Sequence, residues 1–244
     1  DDIDYSGQGG IATTFDVDQI EVHRGPQGSR IGSNAMAGLI YIKTKDPTEV
    51  FEGKSEITTG SYGTINTGLA FGGPSQIEDV TYRIAVRKDY SDGFRKNLFS
   101  GKSDTSKKDE FTFRLKTNWK IDEKSTLKLL VTQIDLDDPA DIWTIDGSLN
   151  TLSDRPGMDS QKTDAYGVKF SHKANNFEFQ SLTSLTDTDV VLSYDADWGN
   201  PATYAPYIYD YFSETIRFRE TFSQEVRFLS NLADFSINRK HEWV

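Results

Sequence analysis

The stretch Glu214-Thr-Ile-Arg-Phe-Arg-Glu-Thr-Phe-Ser-Gln-Glu-Val-Arg-Phe-Leu-Ser230 decides how this chain is read. Ile216, Phe218, Phe222, Val226 and Phe228 occupy even positions, and Arg217, Arg219, Ser223, Glu225 and Arg227 occupy odd ones. A period of two is the signature of a strand, because successive side chains leave the backbone on opposite faces. The second face here is charged, so one side of the strand suits an apolar medium and the other suits water. Val80–Tyr90 repeats the pattern, with Val80, Tyr82, Ile84 and Val86 against Thr81, Arg83, Ala85 and Arg87. In Glu110–Lys120 the apolar set is Phe111, Phe113, Leu115 and Trp119, and in Asp164–Lys173 it is Tyr166, Val168 and Phe170.

Outward from these stretches the alternation predicts eight strands after residue 50: 51–60, 64–72, 80–91, 109–120, 126–136, 164–173, 177–195 and 214–230. A ninth begins near His241-Glu-Trp-Val244. The connections 73–79, 121–125 and 174–176 are short and rich in turn residues, whereas 92–108, 137–163 and 196–213 are long. Tight turns at one end of a sheet and long loops at the other are what an outer-membrane barrel predicts. A soluble sandwich does not require that asymmetry, and its outward face is not usually the aromatic one.

Composition narrows the alternatives. Only 36% of the 244 residues are hydrophobic, yet 12% are aromatic, which a disordered chain would not be. Cysteine is absent, which removes disulfide scaffolds, thiolate metal sites and cysteine catalysis. The formal net charge of −11 argues against nucleic acid as a partner. No run approaches the roughly 20 apolar residues of a spanning helix. Barrel spans are half polar and escape that test.

The first fifty residues differ. Gln19–Arg24 reads as a strand stopped by Gly25-Pro26, and Gly38–Lys45 as a second strand ended by Asp46-Pro47. The intervening glycines lack the Gly-Lys-Ser/Thr ending of a phosphate loop, and Arg30 is their one basic residue. The full run Phe15-Asp-Val-Asp-Gln-Ile-Glu-Val-His-Arg-Gly-Pro-Gln-Gly-Ser-Arg-Ile-Gly-Ser-Asn-Ala-Met-Ala-Gly-Leu-Ile-Tyr-Ile-Lys-Thr-Lys-Asp-Pro47 resembles the end of the plug domain of TonB-dependent outer-membrane receptors. The matching motif residues are Glu21, Arg24, Gly25, Pro26, Gly28, Gly32, Asn34, Ala35 and Gly38. Ser91–Asn97 and Ser223–Ser230 resemble early-barrel segments of the siderophore-receptor branch.

The resemblance implies an all-β chain: the C-terminal part of a small α+β plug over residues 1–48, then the first eight or so strands of a large antiparallel transmembrane barrel over 49–244. Whole receptors close with about 22 strands, so the chain reads as a fragment, which by itself neither inserts nor transports. The implied function is uptake of a scarce ligand, with a ferric siderophore as the leading cargo and cobalamin or an oligosaccharide as alternatives. The implied partners are the TonB–ExbB–ExbD system, acting through an earlier part of the plug, together with outer-membrane lipid and lipopolysaccharide. No bond in the ligand need break, so no catalytic residue, cofactor or resident metal is expected, and the expected location is the outer membrane of a Gram-negative bacterium.

Three sets of residues are candidates. Glu21 and Arg24, interleaved with Ile20 and Val22, are expected to give the plug strand a charged face against the polar lumen. Arg24 is expected to pair with Glu225, which shares the lumen face with Arg217, Arg219 and Arg227. The long loops supply the ligand surface: Arg95 and Lys96 from the basic loop, Trp143 from the Asp-rich one, and Trp198, Tyr204, Tyr207 and Tyr209 from the aromatic one. Aromatic walls beside cations suit an anionic ferric chelate. The competing reading makes the aromatics an interfacial girdle and the charges mere solvation.

Other classes fit less well. The Asp-rich run Asp135–Asp141 lacks the spacing and glycine of an EF-hand loop. His23, His172 and His241 share no metal-ligand spacing and lie outside the long loops. A passive porin or adhesin has no plug, against residues 15–47. Asp195 and Asp197 could suggest a glycosidase pair, but two acids on one strand define no acid–base geometry without a cleft.

Overall fold

The computed structural model describes residues 1–5, 13–27 and 36–230. Two strands come first, β1 (Val17–Arg24) and β2 (Gly38–Thr44), paired antiparallel as a separate two-stranded sheet. There follow β3 (Glu52–Thr59), β4 (Ile65–Pro74), β5 (Val80–Ser91), β6 (Lys96–Asn97), β7 (Lys108–Lys120) and β8 (Ser125–Pro139). The remainder are β9 (Asn150–Thr151), β10 (Met158–Lys173), β11 (Phe177–Asp195) and β12 (Phe212–Ser230). Eight of them form one sheet in the order β12-β11-β10-β8-β7-β5-β4-β3, antiparallel throughout. Sequence neighbours are sheet neighbours, the up-and-down meander that short turns enforce. No helix of the described residues is long and apolar enough to cross a membrane.

The sheet is inside-out by the standard of a soluble domain. Among the described residues seven buried side chains are hydrophobic and twenty are polar or charged. The buried face carries Arg83, Arg114, Thr132, Gln161, Thr163, Ser184, Thr186 and Thr188. The opposite face leaves Ile57, Leu69, Leu129, Val168, Phe218, Phe222 and Phe228 exposed. In water such a surface would be an aggregation hazard; against lipid it is what a spanning strand needs.

One register row on the outward face reads Phe222, Leu185, Tyr166, Val131, Leu115, Ile84 and Phe71, apolar across seven strands. The row above it reads Glu220, Asp187, Asp164 and Gln133, then Phe113, Val86 and Leu69. The boundary between apolar and charged residues therefore crosses the rows diagonally, as it must when strands tilt relative to the membrane normal. Near the short turns, Phe170, Phe177, Phe179 and Phe228 cluster with ring centroids 5.1–6.3 Å apart, an aromatic girdle at the other edge of the apolar band.

Strand positions follow the sequence reading closely, with one systematic difference. β8 runs on to Pro139 and β10 begins at Met158, so the expected connection 137–163 contracts to 140–157. The apolar alternation stops at Asp135, Asp137, Lys162 and Asp164, but the hydrogen-bond ladder continues past the apolar band. Strands of 15–19 residues exceed the roughly 9–11 that a span needs. One connection on the long-loop end is short: residues 60–64 turn through Tyr62 and Gly63, both at positive φ. The expected ninth strand near His241 lies outside the described residues.

Candidate functional site

Two constructions stand out: the seat of the N-terminal segment on the polar sheet face, and a cap built from the three long loops.

The seat begins at Phe15 and Asp16, where the chain turns into β1. Asp16 adopts a left-handed conformation (φ 56°), which an aspartate tolerates better than most residues. Its carboxylate meets Arg83 of β5 in a two-pronged pair, Nε to Oδ2 at 2.7 Å and Nη2 to Oδ1 at 2.5 Å. Both side chains are 4% exposed. The remaining arm of Arg83 donates to Glu52 Oε1 at 3.0 Å. Arg114 of β7 donates to the Phe15 carbonyl, and the Phe15 ring lies under Lys54 and Arg87 at 5.1 and 5.6 Å. Gly68 makes this packing possible, since a Cβ there would come within 2.5 Å of the Phe15 ring. Charges at the centre of spanning strands are costly unless partnered, and the N-terminal segment supplies the partners.

A second set of ion pairs lies nearer the short turns. Lys116 Nζ donates to Asp1 Oδ1 (2.8 Å), the Thr44 carbonyl (2.9 Å) and Asp46 Oδ1 (3.2 Å). Lys128 pairs with Asp46 at 3.7 Å and Lys169 with Asp2 at 3.3 Å. These residues border a cavity of about 210 Å³ lined by Tyr41, Lys43 and Leu182 among others. Burial opposes ionisation of Asp46 and Asp2. For Asp46 the charges of Lys116 and Lys128 outweigh it, and for Asp2 Lys169 does, so both carboxyls titrate below their ordinary 3.8.

The structure does not bring Arg24 and Glu225 together. Strand parity places Arg24 on the side of Ile20 and Val22, not with Glu21, and it is exposed at the end of β1. Glu21 instead meets His23 at 2.8 Å. Glu225 takes Arg227, two residues along the same face, which donates to both carboxylate oxygens. Residues two apart on a strand share a face, so this local pairing costs no long-range order. Gly25 and Gly38 sit where β1 and β2 join, with Gly25 at φ +84° and a Cβ on Gly38 only 2.7 Å from the His23 carbonyl. Pro26 is exposed beside them, while Gly28, Gly32, Asn34 and Ala35 lie outside the described residues. Sequence reasoning missed Asp16, Asp46, Arg83, Arg114 and Lys116. The available signal was cationic side chains on the polar face at mid-strand, each needing acceptors beyond those on its own strand.

The cap joins residues 92–107, 140–157 and 196–211. Arg95 donates to the Ser148 carbonyl at 3.0 Å and stacks on Phe94 at 5.0 Å, so it ties loop to loop. Lys96 is exposed in β6, which pairs in parallel with β9. Lys107 and Lys108 are matched by Asp109, Asp137 and Glu110. Trp143 packs on Tyr194 with centroids 4.9 Å apart. Tyr204 donates to the Asp197 carbonyl and meets Tyr209 edge-on at 5.2 Å, and Tyr209 lies 6.2 Å from Tyr211. Burial, with Asp197 and Asp195 nearby, pushes the Tyr204 phenol up, keeping it a neutral donor. Tyr207 is the most open of the four aromatics at 69% exposed, and Trp198 presents part of its ring at the same tip. The Asp-rich run is divided by strand parity: Asp135 and Asp137 point outward, whereas Asp141 turns into the cap.

No protein-family model matches the chain. The chain is similar to the vitamin B12 transporter BtuB of Vibrio vulnificus (strain YJ016), 33% identical over 97 residues, which is 39% of this chain and 16% of the relative. It superposes on the ferric yersiniabactin uptake receptor FyuA from Yersinia pestis with a TM-score of 0.73 at 17% identity, over 88% of this chain and 33% of that one. The siderophore receptor PiuA from Acinetobacter baumannii gives 0.66 at 15% identity, over 88% of this chain and 32% of that one. This is the fold of a TonB-dependent outer-membrane receptor. The chain spans about a third of the length of these solved receptors. The apolar outward belt of the sheet and its polar inner face agree with that fold.

Proposed function

We propose that the chain belongs to a receptor that takes up a scarce extracellular ligand, most consistently a ferric siderophore, with energy supplied through TonB–ExbB–ExbD acting on the plug. In this reading residues 1–48 are plug and 49–244 barrel. The supporting observation is the seat: Asp16 on Arg83, Phe15 on Gly68, and the carboxylates of Asp1, Asp2 and Asp46 on three barrel lysines. A passive pore has no use for an inner segment held by so many pairs. The aromatic residues Trp198, Tyr204, Tyr207 and Tyr209, together with Arg95, Lys96 and Trp143 of the other two loops, form the proposed ligand-facing surface, consistent with stacking on a chelate. Cobalamin is the second reading, favoured by the likeness to the B12 transporter.

The test uses the full-length receptor. Its amount in purified outer membranes, compared between iron-replete and iron-starved cells, should rise under starvation, and a panel of ferric siderophores should then contain a transported member. A receptor indifferent to iron whose loss abolishes cobalamin uptake would overturn the siderophore reading in favour of the second.

A further inference from the structure

Polar loops at a water-facing barrel mouth have little reason to be rigid, yet here they hide a buried polar node held by hydrogen bonds across two loops. Asn97 is 0% exposed and Asp141 4%. The Asn97 amide nitrogen donates to Asp141 Oδ2 at 2.9 Å and to the Ser153 carbonyl at 2.8 Å. Its amide oxygen accepts from the Ser100 backbone at 2.8 Å, and its own backbone N–H donates to the Lys102 carbonyl at 2.8 Å. The same Asp141 oxygen accepts the Thr151 hydroxyl at 2.7 Å, and the Asp141 N–H donates to Thr105 at 3.2 Å. Thr151 is itself 0% exposed.

From this node the bonding continues to the aromatic loop. The Asp154 N–H donates to the Gly199 carbonyl at 3.0 Å, and the buried Asn200 donates through Nδ2 to the Leu152 carbonyl at 2.8 Å. Arg155 lies 4.4 Å over Phe212 and pairs with Asp210 at 3.1 Å. The loops 92–107, 140–157 and 196–211 are thus linked in series, 97 to 141 and 151, then 152–155 to 199–212. Buried polar groups bonded to one another specify one arrangement, and a missing partner leaves the others unpaired.

We infer that Asn97 and Asp141 are the positioning node of a one-piece extracellular cap, in which the three loops are set relative to one another before any ligand arrives. Removing the Asn97 side chain strands the Ser153 carbonyl and half of the Asp141 contacts, so residues 98–104 should open together.

The experiment exposes cells carrying the full-length receptor to trypsin and follows cleavage after the exposed Lys102 by mass spectrometry. Only receptor with the heat-modifiable mobility of an assembled barrel is counted. The native cap should resist, and Asn97→Ala should cleave at least about tenfold faster, because local opening governs proteolysis. Lys96 and Asn150 are direct register partners. A disulfide between Lys96→Cys and Asn150→Cys should form spontaneously in otherwise native receptor without changing cleavage, and in the Asn97→Ala background it should restore resistance. Rapid cleavage of the native cap, equal rates with and without Asn97, or failure of that disulfide to form would each overturn the inference. None of these readouts involves a ligand, so their failure would leave the transport reading untouched.

Discussion

At Arg83 the physics of the inner face is concentrated in one side chain. A guanidinium at 4% exposure is tolerable only because Asp16 engages it through two hydrogen bonds and Glu52 takes the third arm. Such a pair is weak evidence of net stability, since desolvation offsets much of the attraction, but removing one partner is expensive. Arg83→Ala in the full-length receptor should therefore destabilise the seat by roughly 3–5 kcal/mol. Amide exchange through residues 15–17 should accelerate by about two to four orders of magnitude, because each 1.4 kcal/mol is about tenfold. Unchanged exchange would show that Asp16 finds another partner. Gly68→Ala probes the same seat sterically: its Cβ would meet the Phe15 ring at 2.5 Å, and both residues are enclosed. It should displace Phe15 and raise exchange of that segment while leaving exchange in β10 and β11 unaltered.

At the scale of the strand, one backbone serves two solvents. β8 offers Leu127, Leu129 and Val131 outward, then Gln133, Asp135 and Asp137, while Thr132, Ile134 and Leu136 turn in. Depth along the strand should thus set the cost of a charge. Leu129→Arg, in the middle of the apolar band, should cost about 2–4 kcal/mol, and Gln133→Arg, at its rim, about 0–1. Urea unfolding of the full-length receptor in lipid vesicles measures both, and equal costs would place the membrane boundary elsewhere. Alternation also explains why the strands were legible: for β5, Val80–Ser91, and β11, Phe177–Asp195, the expected and observed bounds coincide. For β8 and β10 they do not, because the apolar pattern reports the membrane whereas hydrogen bonding between backbones continues into water.

At the scale of the molecule, the inner segment is held by two tiers of charge, Asp16 with Arg83 and the Asp2 and Asp46 carboxylates with Lys169, Lys116 and Lys128. The second tier sets a pH dependence. Asp2 and Asp46 have depressed pKa values, so their stabilisation is complete above the ordinary 3.8 and is lost as pH falls through the lowered values. Between neutrality and about pH 4 the seat should be indifferent to acid, and below that range it should loosen. Exchange of the β1–β2 hairpin, followed down in pH, should show this rise. The Asp2→Asn, Asp46→Asn double variant should be looser at neutral pH and flat with acid. An identical acid response in that variant would assign the effect to other groups.

What the sequence determined by itself was everything that depends on local periodicity: the eight strands of the main sheet among residues 51–230, which face is apolar, which end bears long loops, and the two strands before residue 50. It also held the motif around Glu21–Pro26 that pointed to the receptor fold. Only the tertiary structure decided who pairs with whom. Arg24 looked like the inner cation, but its parity and exposure leave it outside, and the work falls to Asp16, hidden in a turn eight residues before it. Arg95, expected on the ligand surface, also ties its loop to the Ser148 carbonyl, and Asn97 and Asp141, with no local pattern at all, meet 44 residues apart. Periodicity is a property of neighbouring residues and survives in one dimension. Partnership between distant side chains depends on sheet register and loop closure, which exist only once the chain has folded.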